Sequence, residues 1–367
     1  MAEIFAGILA MNERPAIAKV GDPLITIAIP TFNRVDFLKG CLSSAFYQTY
    51  PCLEVLVSDN ASTDGTQEFL GAVSDPRLRV IRQRSNIGPL PNWNACLSAA
   101  SGEYIVFVPD DDSIAPHFLD RCVGLVRLQP HVPVIIALAN GSEIVAGARS
   151  VVHPAIRSRT LGTGIWDGMD IFMEYLKHQI SVHSCTALMR TEYLRLRGGF
   201  RVDLPYAADL AAWGSLLMMG KCGLVNEECG SFTAHSESQT KSNSLEIKLR
   251  DHSEVIEILA TIVRTRTGVD PVKRANILNA AYVNINDGIT GLMLRDLREG
   301  GKRGKIMAAI WRYRRDLFVR GLTKKNFRKL LRLIILVLLP SRLRILLRKF
   351  KSWICVPPQY SPHSPAS

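Results

Sequence analysis

A chain of 367 residues with 47% hydrophobic composition can bury a sizeable core, as one large domain or two modest ones. Its formal net charge of +12 points toward nucleic acid, a membrane surface or an acidic substrate. The surplus is local, because residues 295–351 hold 19 Lys and Arg against 3 Asp and Glu while the remainder holds 26 against 30, so the body is not basic and only the tail requires an anionic partner.

From residue 24, LITIAIP is a short β-rich apolar run bounded by Pro23 and Pro30, and it reads as a buried strand. Apolar positions Phe37, Leu38, Cys41, Leu42, Ala45 and Phe46 follow at helical spacing over 35–47. A second strand over 53–57 leads to Ser58-Asp59-Asn60, a second helix covers 66–73, and a third strand covers 78–81. Residues 92–100 read as helix, YIVFV at 104–108 as a strong strand, and 116–128 as helix. This alternation predicts a parallel α/β sheet with helices on both faces, and ligands in such sheets sit beyond the carboxyl ends of the strands. Three polar or acidic loops gather there: Pro30-Thr31-Phe32-Asn33-Arg34, Ser58 to Ser62, and Pro109-Asp110-Asp111-Asp112.

Beyond residue 136 the pattern weakens. Helices are expected over 166–178 and 207–219, a strand over 186–189, and mostly helix over 245–298. Boundaries follow as 22–240 for the main α/β domain, 241–325 for a helical extension, 326–353 for a basic amphipathic segment and 354–367 for a Pro- and Ser-rich disordered tail.

Three consecutive carboxylates repel one another unless water or a cation relieves them, and a hard divalent ion bridges carboxylates to phosphates. In isolation, Asp110-Asp111-Asp112 reads equally well as a solvated turn that caps the next helix through Asp112 or Ser113. Asp64, Gly65 and Thr66 suit a turn and helix start, which leaves Asp59 at a strand end without a local role.

IPTFNR at 29–34, VSDNASTDGT at 57–66, SNIGPLPNWN at 85–94 and GEYIVFVPDDDS at 102–113 occur in that order. Together they resemble the N-terminal half of a family 2 glycosyltransferase with the GT-A fold, in wording closest to abequosyltransferase- and rhamnosyltransferase-type enzymes of bacterial surface polysaccharides. Gly198-Gly199-Phe200 followed by Asp209, Trp213 and Gly220 resembles the acceptor half. The resemblance implies an α/β fold with a Rossmann-like, mostly parallel nucleotide half, an acceptor half and then a helical basic region. It implies that Pro30, Thr31, Phe32 and Arg34 bind the nucleotide-sugar, that Asp59 bonds the base and that Asp110 sits near the ribose. It also implies a divalent cofactor, Mn²⁺ or Mg²⁺, with Asp111, Asp112 and His235 as candidate ligands, and Asp209 as general base of an inverting transfer. Many relatives carry a further acid where this chain has Pro109, which leaves the main ligand open between Asp111 and Asp112. They also carry a second acid at Asn60, a change that bears on nucleotide choice. Each assignment has a local rival: Asp209 suits the first turn of a helix, and His235 or His183 suits a satisfied or surface histidine.

The eight cysteines show no CxxC pair or zinc spacing and read as reduced, buried thiols. Neither a signal peptide nor an apolar run of the ~18–20 residues needed to span a bilayer is seen. NFRKLLRLIILVLLPSRLRILLRKFKSW at 326–353, split by Pro340, mixes dense Leu and Ile with Arg and Lys, which fits a membrane surface better than a span or a nucleic acid. The expectation is a cytoplasmic enzyme peripheral to the inner membrane, acting on a glycan or polyprenyl-diphosphate-linked acceptor. The alternative is a non-catalytic membrane-associated protein that keeps the fold, and the intact acidic loop with Asp209 argues against it.

Overall fold

The computed structural model describes residues 21–145, 148–235, 243–320 and 322–338. The Pro340 break, the basic run after residue 338 and the Pro-rich tail lie outside the described residues. The chain divides into two compact units between Ile285 and Asn286.

The first unit is built on a ten-stranded sheet. Strands β1 (Ile25–Thr31), β2 (Leu53–Asp59), β3 (Leu78–Arg82) and β4 (Tyr104–Phe107) lie in the order β3-β2-β1-β4, all parallel. Every residue of β1 is buried, as expected of a central strand covered on both faces. Pro30 is tolerated there because the β4 ladder ends at Ala28–Phe107, so no bond on that side is lost. Helix α1 (Val35–Phe46) turns Leu38, Cys41, Leu42 and Ala45 onto the sheet at helical spacing, each of the two leucines being worth about 1.5–3 kcal/mol when fully buried. Helices α2 (Thr66–Gly71) and α3 (Pro89–Ala99) complete the crossovers.

The chain moves outward from β1 to β3, then returns to place β4 on the other side of β1. This reversal is a topological switch point, and the loops after β1 and β4 flank it. Beyond β4 the sheet continues through β9 (Ala187–Arg190), β6 (Val134–Val145), β10 (Lys221–Ala234) and β5 (Ser113–Ile114), with β7 (Ala148–His153) and β8 (Gly164–Asp167) off that path. The pairings of β9 with β4 and β6 are antiparallel, whereas β6 and β10 are parallel. The strand expected over 186–189 is present as β9, whereas the long strands β6 and β10, of 12 and 14 residues, are not among the elements the sequence pattern marks.

Helices α4 (Phe118–Leu128), α5 (Gly168–Leu176), α6 (Thr191–Leu196) and α7 (Ala208–Leu217) pack against this sheet, and α8 (Leu245–Thr265) packs on α7. A side-chain carbon on Gly214 would lie 2.8 Å from Leu259, so glycine there permits the close approach of α7 to α8.

Helix α9 (Pro271–Arg298) runs across the division between the units. The second unit holds α10 (Arg303–Arg312), α11 (Arg314–Phe318) and α12 (Lys324–Leu338). Its interior includes Ile306, Ile310, Leu317, Leu330, Leu333 and Val337, and the Asn286 amide donates to the Asp316 and Leu317 carbonyls at 2.7 and 3.1 Å. Among the described residues, no helix is long and apolar enough to cross a membrane.

Candidate active site

A cavity of about 640 Å³ opens in the first unit at the switch point. One wall comes from the loops after β1 and β4: Pro30, Thr31, Phe32, Arg34 and Pro109 to Asp112. Asn86, Asn92 and Trp93 contribute from the α3 segment, while Tyr175, His183, Tyr206, Asp209 and Trp213 come from the later half of the unit.

The acidic loop is a tight turn, closed by the Asp112 amide donating to the Pro109 carbonyl at 2.9 Å. Its three carboxylates have different surroundings. Asp110 accepts a hydrogen bond from the Thr31 hydroxyl at 2.8 Å and pairs with the Arg34 guanidinium at 3.2 Å. Burial, reinforced by the negative charge of Asp111, pushes its pKa up to about 6, against the pull of Arg34 and Thr31. Asp111 reaches both Arg34, at 3.2 Å, and His235 Nε2, at 2.7 Å. Asp112 turns inward, where its Oδ1 accepts from the Thr233 backbone amide at 2.9 Å and the Cys185 thiol lies beside it. That bond ties the loop to β10. The structure thus gives Asp111 a mixed oxygen and nitrogen neighbourhood and commits one oxygen of Asp112 to the sheet.

His235 follows the end of β10 and stacks on Phe37 of α1, with ring centroids 4.6 Å apart. The Asp111 carboxylate is an oxygen donor of the kind Mn²⁺ or Mg²⁺ prefers, so the loop fits a hard divalent ion; the His235 imidazole beside it is a softer donor, which suits Mn²⁺ better than Mg²⁺. Among the described residues no group of three or more His, Cys, Asp or Glu converges, so a bound ion would depend on ligand and water oxygens as well.

Asp59 lies beside Thr31 in the β1–β2 register but does not line the cavity. It accepts from the Ser62 amide at 2.9 Å and faces Arg82 at 3.6 Å. Asn60 has a clear local task. Its amide donates to Asn86 Oδ1 and the Gly88 carbonyl, and its oxygen accepts from the Ile87 amide, which fixes the 86–88 loop at the cavity rim. Asp64 caps locally as the sequence suggested, accepting from the Val35 amide and from the Thr66 hydroxyl.

Asp209 stands in the first turn of α7 and accepts from the Leu210 amide at 2.8 Å. Burial raises its pKa above the ordinary carboxylate value. Tyr175 is close enough that Asp209 adds to the burial that holds the phenol protonated, and its ring meets Trp213 edge-on at 5.0 Å. His183 stacks on Phe232 at 4.8 Å, and burial lowers its pKa to about 4, so it is neutral at neutral pH.

The sequence did not single out Tyr175, Tyr206 or the anchor behind Tyr206. That anchor is Asp251, fully buried in α8, whose Oδ2 accepts from the Tyr206 amide at 2.7 Å. A signal for it exists: Asp251, Val255 and Leu259 repeat every four residues, so an acid occupies the apolar stripe of the helix.

Residues 26–193 match the family model described as Glycosyl transferase family 2. The succinoglycan biosynthesis protein ExoO of Rhizobium meliloti is 36% identical over 109 residues, spanning 30% of this chain and 31% of that protein. S. aureus TarS, solved for residues 1–349 with UDP-GlcNAc, superposes with a TM-score of 0.56 at 19% identity over 78% of this chain and 83% of that one. The mannosyltransferase PcManGT from Pyrobaculum calidifontis, solved with GDP-Man and Mn²⁺, does so with a TM-score of 0.51 at 19% identity over 90% of each chain. At those identities the two structures establish a shared fold, and the expected GT-A architecture is borne out.

Proposed function

We propose that this chain, a glycosyltransferase whose residues 26–193 form a family 2 domain, is an inverting enzyme that moves a sugar from a nucleotide-sugar to a hydroxyl of a glycan acceptor in bacterial polysaccharide synthesis. The observation that carries this reading is that one cavity is lined both by Asp110 and Asp111, from the loop after β4, and by Asp209, from the first turn of α7. The succinoglycan role named for ExoO supports the polysaccharide context, and the UDP-GlcNAc and GDP-Man in the two related structures support a nucleotide-sugar donor.

Pro30, Thr31 and Phe32 form the wall for the nucleoside, and Asp110, fixed by Thr31, stands near the ribose. Asp59 is one layer behind that wall and shapes the base pocket through the Ser62 turn. Asp111 and His235 would hold a divalent ion, which when bound neutralises charge on the diphosphate leaving group; Asp112 supports their loop. Arg34, between Asp110 and Asp111, adds a fixed positive charge on the same side. The acceptor oxygen attacks the anomeric carbon as the bond to the diphosphate oxygen breaks, and the leaving group departs with that electron pair. Asp209 takes the hydroxyl proton. Its raised pKa makes it a stronger base than an exposed aspartate.

The basic C-terminal region suits an enzyme at the cytoplasmic face of the inner membrane with a polyprenyl-diphosphate-linked acceptor. The test is a thermal-shift screen of UDP, dTDP, GDP and CDP with and without Mn²⁺, followed by transfer from the matching nucleotide-sugar to lipid extracts. One nucleotide should stabilise the protein, more so with Mn²⁺. No stabilisation by any nucleotide would overturn the donor assignment.

A further inference from the structure

Of the twenty-one large apolar side chains that are exposed among the described residues, nine lie between Met307 and Leu338, a segment about a tenth of the described length. That concentration belongs to the second unit and serves no step of the transfer. Helix α12 explains how it arises. One stripe, Asn326, Leu330, Leu333 and Val337, is buried within the unit. A second apolar stripe, Phe327, Leu331, Ile335 and Leu338, is 42–66% exposed. At about 100° per residue this second stripe points roughly 125° away from the buried one. Lys324, Lys325, Arg328 and Arg332, all exposed, flank it on the side away from the buried stripe. Nearby, Trp311 is 71% exposed with the Arg314 guanidinium 4.7 Å over its ring, and Val319 is 75% exposed.

An apolar stripe and a basic flank on one helix match a single kind of partner. Between residues 307 and 338 there are nine Lys and Arg and one acid, Asp316, so two copies of this surface would bring like charges together. An anionic lipid surface accepts both parts, with the stripe among the acyl chains and the cations among the head groups. We propose that α12 lies in the plane of an anionic membrane, with Phe327, Leu331 and Ile335 inserted and Lys325, Arg328 and Arg332 on the phosphates. This inference rests on the membrane-surface reading above and assigns the residues that carry it.

The test is co-sedimentation of the full chain with vesicles made of equal parts phosphatidylglycerol and phosphatidylcholine, against phosphatidylcholine alone. The wild type should bind the anionic vesicles and be released by salt. Phe327→Ser with Leu331→Ser and Ile335→Ser should weaken binding about tenfold or more, with unchanged thermal melting, because these side chains are not in the core. Lys325→Glu with Arg328→Glu and Arg332→Glu should abolish the preference for anionic vesicles. If the wild type binds and the serine variant binds equally well, α12 is not the contact, although the membrane reading survives. If the wild type binds neither vesicle, both fall, while nucleotide binding and transfer are measured separately. A lipid-free dimer that the serine variant converts to monomer, without loss of vesicle binding, would instead make the stripe an interface between copies and overturn the proposal.

Discussion

Replacing Asp209 with Asn isolates the proposed general base. Asn has the same shape, and its side-chain oxygen can still accept the Leu210 amide bond of 2.8 Å, so the helix start is preserved. What is lost is the ability to take a proton. Removal of a positioned general base costs about 10²–10⁴ in rate, or roughly 2.7–5.4 kcal/mol of transition-state stabilisation. Nucleotide affinity, which the proposed site assigns to the Pro30–Arg34 and acidic loops, should stay within about threefold of wild type. Stability moves the other way. The carboxyl binds its proton more tightly folded than unfolded, so its ionisation destabilises the fold as pH rises from the unfolded pKa through the raised folded value. The variant should therefore melt at or above the wild-type temperature at neutral pH. In the wild type, the rate should fall as pH drops through the raised Asp209 pKa, placing the acid limb above the ordinary aspartate value. Initial rates with a coupled nucleoside-diphosphate assay, calorimetric nucleotide titration and a thermal melt together decide the matter. Near-normal turnover, or a rate lost only in parallel with nucleotide affinity, would refute the base assignment.

Asp111→Asn combined with His235→Ala removes the oxygen and nitrogen pair. It should reduce the Mn²⁺-dependent gain in nucleoside-diphosphate affinity by about tenfold or more, read by titration with and without the ion; an unchanged gain would move the metal elsewhere. Asn60→Asp replaces two donated bonds with a carboxylate facing Asn86 Oδ1 and the Gly88 carbonyl, and should cost about 1–3 kcal/mol in denaturant unfolding as well as weakening nucleotide binding. Asn94→Ala breaks a reciprocal pair with the Phe200 backbone, 2.8 Å in each direction, and should also cost about 1–3 kcal/mol while leaving nucleotide affinity intact at low temperature; an unchanged midpoint in either variant would show that the pair carries no net stability.

The nucleotide half was legible because its information is local. β1, β2 and β4 are almost wholly buried, so apolar residues dominate their runs, and the helices between them bury residues at regular spacing. Turn and cap residues such as Asp64 and Thr66 also declare themselves through their immediate neighbours. The second half was opaque because its polar residues are satisfied by partners far along the chain. β6 and β10 carry Asn140, Ser142, Glu228 and Ser231 inside strands, which breaks the apolar pattern. Across the pair, Asn140 donates to Glu228 at 2.7 Å and accepts from Ser231 at 2.7 Å, so burial costs little.

The same division runs through the acidic triplet. The sequence by itself determined that Asp110-Asp111-Asp112 follows a strand at the same sheet edge as the Pro30–Arg34 loop, and that its motifs resemble those of a nucleotide-sugar site. Three identical side chains in a row carry no information about which way each will face. Only the tertiary structure decided that, because the choice is made by partners at residues 31, 233 and 235: the Thr31 hydroxyl takes Asp110, the Thr233 amide takes Asp112, and the His235 ring is left for Asp111.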